Sequence, residues 1–342
     1  MSAQIDRFHI APSRRMLLGG IAGTAASFFY APHIVRAASL EKITFQLDWI
    51  AYGRHAPYYV ALDKGFYAAN GLDVKIEQGM GATDGFRNLV AGNAQFNFND
   101  IGSMIAIRSR EGIKLKAVAC MYQKAPHSVF YLKNKGISKP KDLEGKSIAS
   151  PPGSSPKVMF PAFAMANGID ESTLRWLSTD PNSMNAVLMS RRADSIITYI
   201  FTLPVLQEAA QDGDEVGAFT FSDYGADFYA NAIIGMEDYI EKNPQTVRAF
   251  TTATIKGFQY TISNPNEAVS IMKKYRPQLN EDIAIKEIPL LQQLSMTDNT
   301  KTMGFGNMTR EKMVLTEELA AKYLNLTDRV PVSDLFTNEF LS

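Results

Sequence analysis

Lys42-Ile43-Thr44-Phe45-Gln46-Leu47-Asp48-Trp49, then His55-Ala56-Pro57-Tyr58-Tyr59-Val60-Ala61, then Gly71-Leu72-Asp73-Val74, is the stretch that decides the fold class. Ile43, Phe45 and Leu47 alternate with polar neighbours, the two-residue period of a strand with one face buried, so Lys42–Leu47 reads as a strand. Pro57 suits the first turn of a helix, where its missing N–H is not needed, and Gly65 suits the position just past its end. Leu72–Glu77 is a second strand. A strand, a helix and a strand in succession point to an α/β fold.

The same alternation extends on both sides of the chain. Gly79-Met80-Gly81-Ala82-Thr83-Asp84 is a glycine-rich turn into a helix over Gly85–Ala91, followed by strand Gln95–Asn99, helix Ser103–Glu111 and strand Lys114–Cys120. Ser128–Tyr131 is extended and apolar, and a second α/β unit follows the polar stretch Lys133–Lys146. Its parts are strand Ser147–Ser150, loop Pro151–Pro156, helix Lys157–Asn167, strand Leu174–Leu177, helix Asn182–Ser190, strand Ser195–Tyr199 and helix Leu203–Gln211. After an extended run near Ala230–Gly235 the chain turns helical. Asn243-Pro244 and Asn264-Pro265 each offer an Asn cap with Pro at the first helical position, and Glu267 approximates a capping box with Asn264.

The chain has 342 residues, with 35 Lys+Arg against 35 Asp+Glu. That length accommodates two domains, and a zero net charge leaves no electrostatic footprint for nucleic acid. One Cys (Cys120) and four His exclude a Cys-rich zinc site, an iron–sulfur cluster and an internal disulfide. No metal and no cofactor is expected.

The amino terminus reads as an export signal over residues 1–37. Arg14-Arg15 precede an apolar run of about 15 residues, short of the ~20 that span a bilayer, and Val35-Arg36-Ala37 supplies a small-residue cleavage site. Paired arginines followed by Leu17-Leu18 resemble a twin-arginine signal. Cleavage removes Arg7, Arg14, Arg15, Arg36 and Asp6, which leaves 31 basic and 34 acidic residues and a charge of −3. It also removes His9 and His33, so His55 and His127 remain. The expected location is the periplasm.

Leu47-Asp48-Trp49, His55 to Ala61, Lys64-Gly65-Phe66-Tyr67 and Gly71 to Val74 together resemble the periplasmic substrate-binding proteins of ABC importers. The similarity is to the NMT1-like branch that binds thiamine-pyrimidine precursors, sulfonates and nitrate. Leu89 to Phe96, Ile137 to Lys146 and Pro152-Gly153-Ser154-Ser155 fit the same pattern. The resemblance covers roughly residues 42–235. It implies a type II periplasmic binding fold, two α/β lobes joined by a two-strand hinge. The lobes are expected over residues 38–132 plus 223–342 and over residues 133–222, with crossings near Ala125–Tyr131 and Phe221–Ala230 and with the carboxyl-terminal helices back on the first lobe. The implied partners are a small-molecule ligand and an inner-membrane permease with its cytoplasmic ATPase. The binding protein itself is expected to be a monomer.

Ligands of open α/β sheets bind beyond the carboxyl ends of the strands, which selects the candidate residues. Trp49 follows the first strand and offers a stacking ring; Trp176, inside a strand of the second unit, reads as packing. His55 and Tyr58 lie at a helix start, and Arg54 beside them is able to attract an anion, although an exposed arginine is usually just solvated. Gly81, Thr83, Asn99 and Asp100 follow the second and third strands. Asp100 is the sharpest of these, because a carboxylate accepts from the amino group of an aminopyrimidine and repels a sulfonate. Thr83 or Asp84 is as well suited to capping the next helix. Gly153, Ser154 and Ser155 form a loop into a helix, with hydroxyls and amides suited to an oxyanion but without the ending of a nucleotide P-loop. Tyr199 ends a strand of the second lobe.

The expected function is capture of a small heterocycle of the thiamine-pyrimidine type for import, with an aromatic carboxylate, a sulfonate or a nitrate-like anion as the alternative. A sensor or receptor subunit is a further alternative. The family's pyrimidine-phosphate synthase is the enzymatic rival. Its clustered cysteines are missing here, and one histidine is no catalytic constellation, so no enzyme is expected.

Overall fold

The computed structural model describes residues 39–211 and 213–341. The export signal expected over residues 1–37 lies outside them. Ten strands run in chain order: β1 (Glu41–Gln46), β2 (Leu72–Glu77), β3 (Phe96–Asp100), β4 (Leu115–Cys120), β5 (His127–Leu132), β6 (Ser147–Ser150), β7 (Arg175–Ser178), β8 (Ser195–Tyr199), β9 (Val216–Thr220) and β10 (Asn231–Met236). They form two five-stranded sheets, ordered β2-β1-β3-β10-β4 and β7-β6-β8-β5-β9.

Both sheets follow one plan. β1 pairs in parallel with β2 and β3, and β6 pairs in parallel with β7 and β8. The fourth position of each order holds a strand running the other way: β10 between β3 and β4, and β5 between β8 and β9. Both antiparallel strands belong to segments that cross between sheets, so the chain passes over residues 121–126 and returns over 221–230. This is the α/β architecture with two sheets that the sequence implies.

Two details differ from the sequence reading. Residues 127–132, expected within the first lobe and partly as a crossing, form a fully buried strand of the second sheet. His-Ser-Val-Phe-Tyr-Leu shows no polar alternation because a central strand is covered on both faces. β9 has no counterpart in the sequence reading, because Val216-Gly217-Ala218 carries little apolar signal.

The carboxyl-terminal helices supply much of the packing around the first sheet. Helix Pro244–Ser263 lies so close to Ala56–Asp63 that a Cβ on Gly257 would sit 2.2 Å from the Pro57 carbonyl oxygen. Phe250, on that helix, stacks on Phe96 of β3 at 4.4 Å; burying a ring of this size contributes roughly 1.5–3 kcal/mol. Helix Arg310–Tyr323 packs against both Ile101–Glu111 and Ser155–Ala166, so one apolar cluster runs through Ile105, Phe163 and Met313.

Asn243 and Asn264 occupy the expected cap positions with Pro following, yet neither side chain caps the helix it precedes. Each Nδ2 donates backward, to the carbonyls of Tyr239 and Tyr260. The two helices abut, and the orphan carbonyls of the preceding helix take the amides. Glu267 accordingly closes no capping box and bonds Lys64 and Tyr260 instead.

Candidate functional site

β1 delivers Asp48 into the interior, where it organises a buried polar cluster. Oδ1 accepts from Nε2 of His55 at 2.9 Å, and Oδ2 accepts from Arg54 Nη2 and Asn231 Nδ2, both at 3.0 Å. Asn231 Oδ1 in turn accepts from the Tyr199 hydroxyl at 2.9 Å, which links β8 of one sheet to β10 of the other. Nδ1 of His55 accepts the Tyr52 backbone N–H at 3.0 Å, so its proton sits on Nε2, facing Asp48. Burial raises the Asp48 carboxyl, but the Arg54 charge and the bonds from His55 and Arg54 outweigh it and hold it below the usual range. Burial, assisted by Arg54, pushes His55 down to about 4, so its ring is neutral at pH 7.

Arg54 is 3% exposed, not the solvated cation expected from sequence. Its guanidinium is already bonded to Asp48 and lies against the rings of Tyr199 and Phe201, at 5.2 and 5.5 Å. Its backbone N–H donates to Glu287 Oε2 at 2.8 Å. Glu287 comes from helix Glu281–Ser295, whose approach is set by Gly53: a Cβ there would lie 2.5 Å from Ala284 Cα.

A cleft opens beside this cluster, enclosing about 660 Å³ of non-atom space when the open solvent at its mouth is counted in. Trp49, Tyr52, Gly81 and Asn99 line it from the first sheet's side. Ser154, Ser155, Asn185, Thr198 and Tyr199 line it from the second, with apolar Met184, Ile197 and Phe201 among them, and Asp48, Arg54 and Glu287 also stand on the wall. The two sides meet at glycines: Gly81 (φ +109) lies under the Trp49 ring and against the Gly153 carbonyl, and a Cβ on Gly153 (φ +69) would meet Thr83 Oγ1 at 2.8 Å. Ser154, at the start of helix Ser155–Ala166, spends its hydroxyl on Ser150 at 2.9 Å and does not cap the helix, so no side chain satisfies the first-turn N–H groups.

Of the residues singled out by sequence, the structure brings Trp49, Gly81, Asn99, Ser154, Ser155 and Tyr199 to one cleft. It places His55, Tyr58, Thr83, Asp100 and Gly153 off its walls. Tyr58 is a core ring, 0% exposed, packed on Phe45 and Phe98 at 4.8 and 5.3 Å. His55 holds Asp48 from behind. Asp84, not Thr83, takes the turn's polar groups: its Oδ2 accepts from Gln46 Nε2 and the Met80 N–H. Trp176 packs edge-on against Phe160 at 5.1 Å, as expected.

Asp100 departs furthest from expectation. It is fully buried and caps helix Ile101–Glu111, accepting the Ser103 N–H at 2.7 Å. Burial pushes the carboxyl up to about 6 against the lowering effect of the Ser103 and Ser155 bonds. An aspartate between a strand and a helix satisfies the helix's orphan donors first. His127, the other histidine that remains after cleavage, is pushed down to about 3 by burial; its Nε2 lies 2.7 Å from Ser155 Oγ and 3.4 Å from Asp100 Oδ2. A relay activating a serine needs the carboxylate on the opposite ring nitrogen. Here both partners share Nε2, and Nδ1 has none.

Sequence reasoning missed Glu287. The signal was present: in helix Glu281–Ser295 the buried face is Ala284, Glu287, Ile288, Leu291, Leu294 and Ser295, so one acid stands on a stripe that is apolar up to the terminal serine. Tyr52, Asn185 and Thr198 carried no comparable mark.

Residues 53–268 match the family described as NMT1/THI5 like. The chain belongs to that family. The match ends before Glu287. Among curated relatives, the riboflavin-binding protein RibY of Chloroflexus aurantiacus is 27% identical over 323 residues, covering 93% of this chain and 91% of RibY. The formylaminopyrimidine-binding protein of Halalkalibacterium halodurans is 26% identical over 259 residues, 75% of each. Among solved structures, the periplasmic aliphatic sulphonate-binding protein SsuA of Escherichia coli superposes with a TM-score of 0.66 at 12% identity, over 86% of this chain and 91% of SsuA. The fold is that of periplasmic binding proteins.

Proposed function

We propose that the protein is the solute-binding component of an ABC importer and captures a small nitrogen heterocycle of the thiamine-pyrimidine type. One observation carries the choice of heterocycle over anion: Asp48 has already taken the charge of Arg54, and Glu287 adds a second acid to the cleft wall. A sulfonate or nitrate entering there meets no uncompensated cation among the lining residues and at least one buried carboxyl. A flat ring meets Trp49, Tyr52 and Tyr199, with polar partners at Asn99, Ser154 and Ser155. Relatives named for riboflavin and formylaminopyrimidine support the same class.

The binding reading also fits the chemistry of the site. His55 and His127 are buried and neutral, Cys120 stands alone, and no cluster among the described residues has the spacing of a metal centre. Residues 1–37 would direct export, the two sheets would serve as lobes closing over the ligand, and a permease with its cytoplasmic ATPase would receive it. Contact with both walls would favour the closed arrangement by its differential affinity. An aromatic carboxylate or sulfonate is the second reading, and it rests on the uncapped helix start at Ser154-Ser155.

Titration of the purified protein with 4-aminopyrimidine, riboflavin and benzenesulfonate, followed by tryptophan fluorescence, tests the proposal. Trp49 lines the cleft, so a heterocycle is expected to change the emission saturably and a Trp49→Phe variant to abolish most of the change. Saturable binding of the sulfonate alone would reverse the assignment.

A further inference from the structure

We propose that Glu287 is the residue that selects the ligand, its second carboxyl oxygen accepting an N–H from the heterocycle's amino group or ring nitrogen. This deepens the reading above and rests on it. Glu287 is 1% exposed and lines the cleft. Oε2 is fixed by the Arg54 backbone N–H at 2.8 Å, whereas Oε1 has no hydrogen-bond partner among the described residues. The second oxygen is not sealed from the cleft, so a donor on the ligand can reach a carboxyl that the protein pairs on one oxygen only. The held oxygen also fixes the carboxyl plane, so the free one presents a directed acceptor.

The neighbours do not compete for that oxygen. The Arg54 guanidinium is turned to Asp48, and Arg54 is the charged group that acts on Glu287. The phenols of Tyr52 and Tyr122 are within reach of its charge, and burial raises both, so they stay neutral up to pH 9. With Glu287 ionised, as above about pH 8, an anionic ligand would set two negative groups together. An amino-substituted ring places its donor against Glu287 while its face remains free for Trp49. Asp100, the acid that the sequence assigned to this task, spends Oδ1 on a helix cap, and its unpaired Oδ2 is buried beside His127, off the cleft wall.

Two ligands that differ only in the donor test the assignment: 4-aminopyrimidine and 4-(dimethylamino)pyrimidine. Titrations at pH 8.5 keep the carboxyl mostly ionised, since burial pushes it up to about 8. The wild-type protein is expected to prefer the amino compound by tenfold or more. In Glu287→Gln the amide oxygen still accepts from Arg54 and its NH2 faces the cleft, so the preference should fall to within about twofold, with the melting temperature retained. Glu287→Asp keeps the charge but draws it back and should retain part of the preference; this variant serves if Glu287→Gln does not fold. Aminopyrimidine binding with the preference unchanged in both variants would overturn the role of Glu287 and leave the heterocycle reading intact. Binding of benzenesulfonate but neither pyrimidine would overturn the heterocycle reading itself.

Discussion

Two carboxyls flank Arg54 and behave in opposite ways. Asp48, after β1, receives the guanidinium, the His55 ring N–H and the Asn231 amide, and is held below the ordinary carboxylate range. Glu287, from the carboxyl-terminal helix, is equally buried but receives only the backbone N–H of the same arginine, and burial pushes it up to about 8. Proximity to an arginine therefore does not decide ionisation; the number and kind of donors reaching the oxygens do. The difference separates a structural acid from one with bonding capacity to spare.

The largest effect is expected at Asp48. Asp48→Ala strands a buried guanidinium and removes the acceptor of three donors, which costs about 3–5 kcal/mol when a buried pair is broken. Urea denaturation at pH 7 would measure it. Asp48→Asn keeps the shape and part of the bonding, so a loss equal to that of alanine would show that charge alone holds the cluster. A loss below about 1 kcal/mol for alanine would erase the contrast with Glu287.

A smaller effect is expected from pH. The folded state holds the Glu287 proton up to about 8, against an ordinary value near 4.5, so it binds more protons than the unfolded chain in between. Stability from this group is therefore fully present below about pH 4.5 and is lost as pH rises through 8. Asp100 acts in the same sense and is spent by about pH 7, and the two depressed histidines act in the opposite sense as the unfolded imidazoles titrate around 6.5. The window from about pH 7.5 to 8.5 is therefore the one in which Glu287 dominates. Wild-type stability should fall there by at most about 1.4 kcal/mol per pH unit, and Glu287→Gln should be flat. A wild-type profile without slope would place the carboxyl with Asp48 in the ionised class.

The sequence reading located this contrast only in part. The strand ends beside Trp49, Asn99 and Tyr199 were legible because alternation and glycine-rich turns mark them, and ligand sites of α/β sheets lie there. The helix start at Ser154-Ser155 was legible for the same reason. Which of two acids meets the cleft was not. Asp100 sits at a strand end, as a ligand residue would, but capping claimed it. Glu287 reaches the cleft from a helix some 230 residues beyond Arg54 in the chain, through the close contact of Gly53 and Ala284. Local pattern marks Glu287 as an anomaly on an apolar stripe and gives no information on what that stripe faces. The strand His127–Leu132 was assigned to the wrong sheet for a related reason: an apolar run shows that a strand is buried, not which neighbours it pairs with.

Asp100 offers the smallest and most discriminating change. It stands between the other two acids: one backbone N–H and hydroxyl contacts but no cation, and a carboxyl at about 6. If its work is capping, Asp100→Ala should cost about 1 kcal/mol, and Asp100→Asn, whose oxygen still accepts the Ser103 N–H, should cost less than half of that. Neither should change affinity for 4-aminopyrimidine by more than about threefold, because the carboxyl does not line the cleft. Chemical denaturation and fluorescence titration of the same two variants separate the roles. A tenfold loss of affinity in Asp100→Asn with stability intact would return the ligand contact to Asp100 and take it from Glu287. A full cap penalty with unchanged affinity would leave Glu287 as the acid whose free oxygen the cleft exposes.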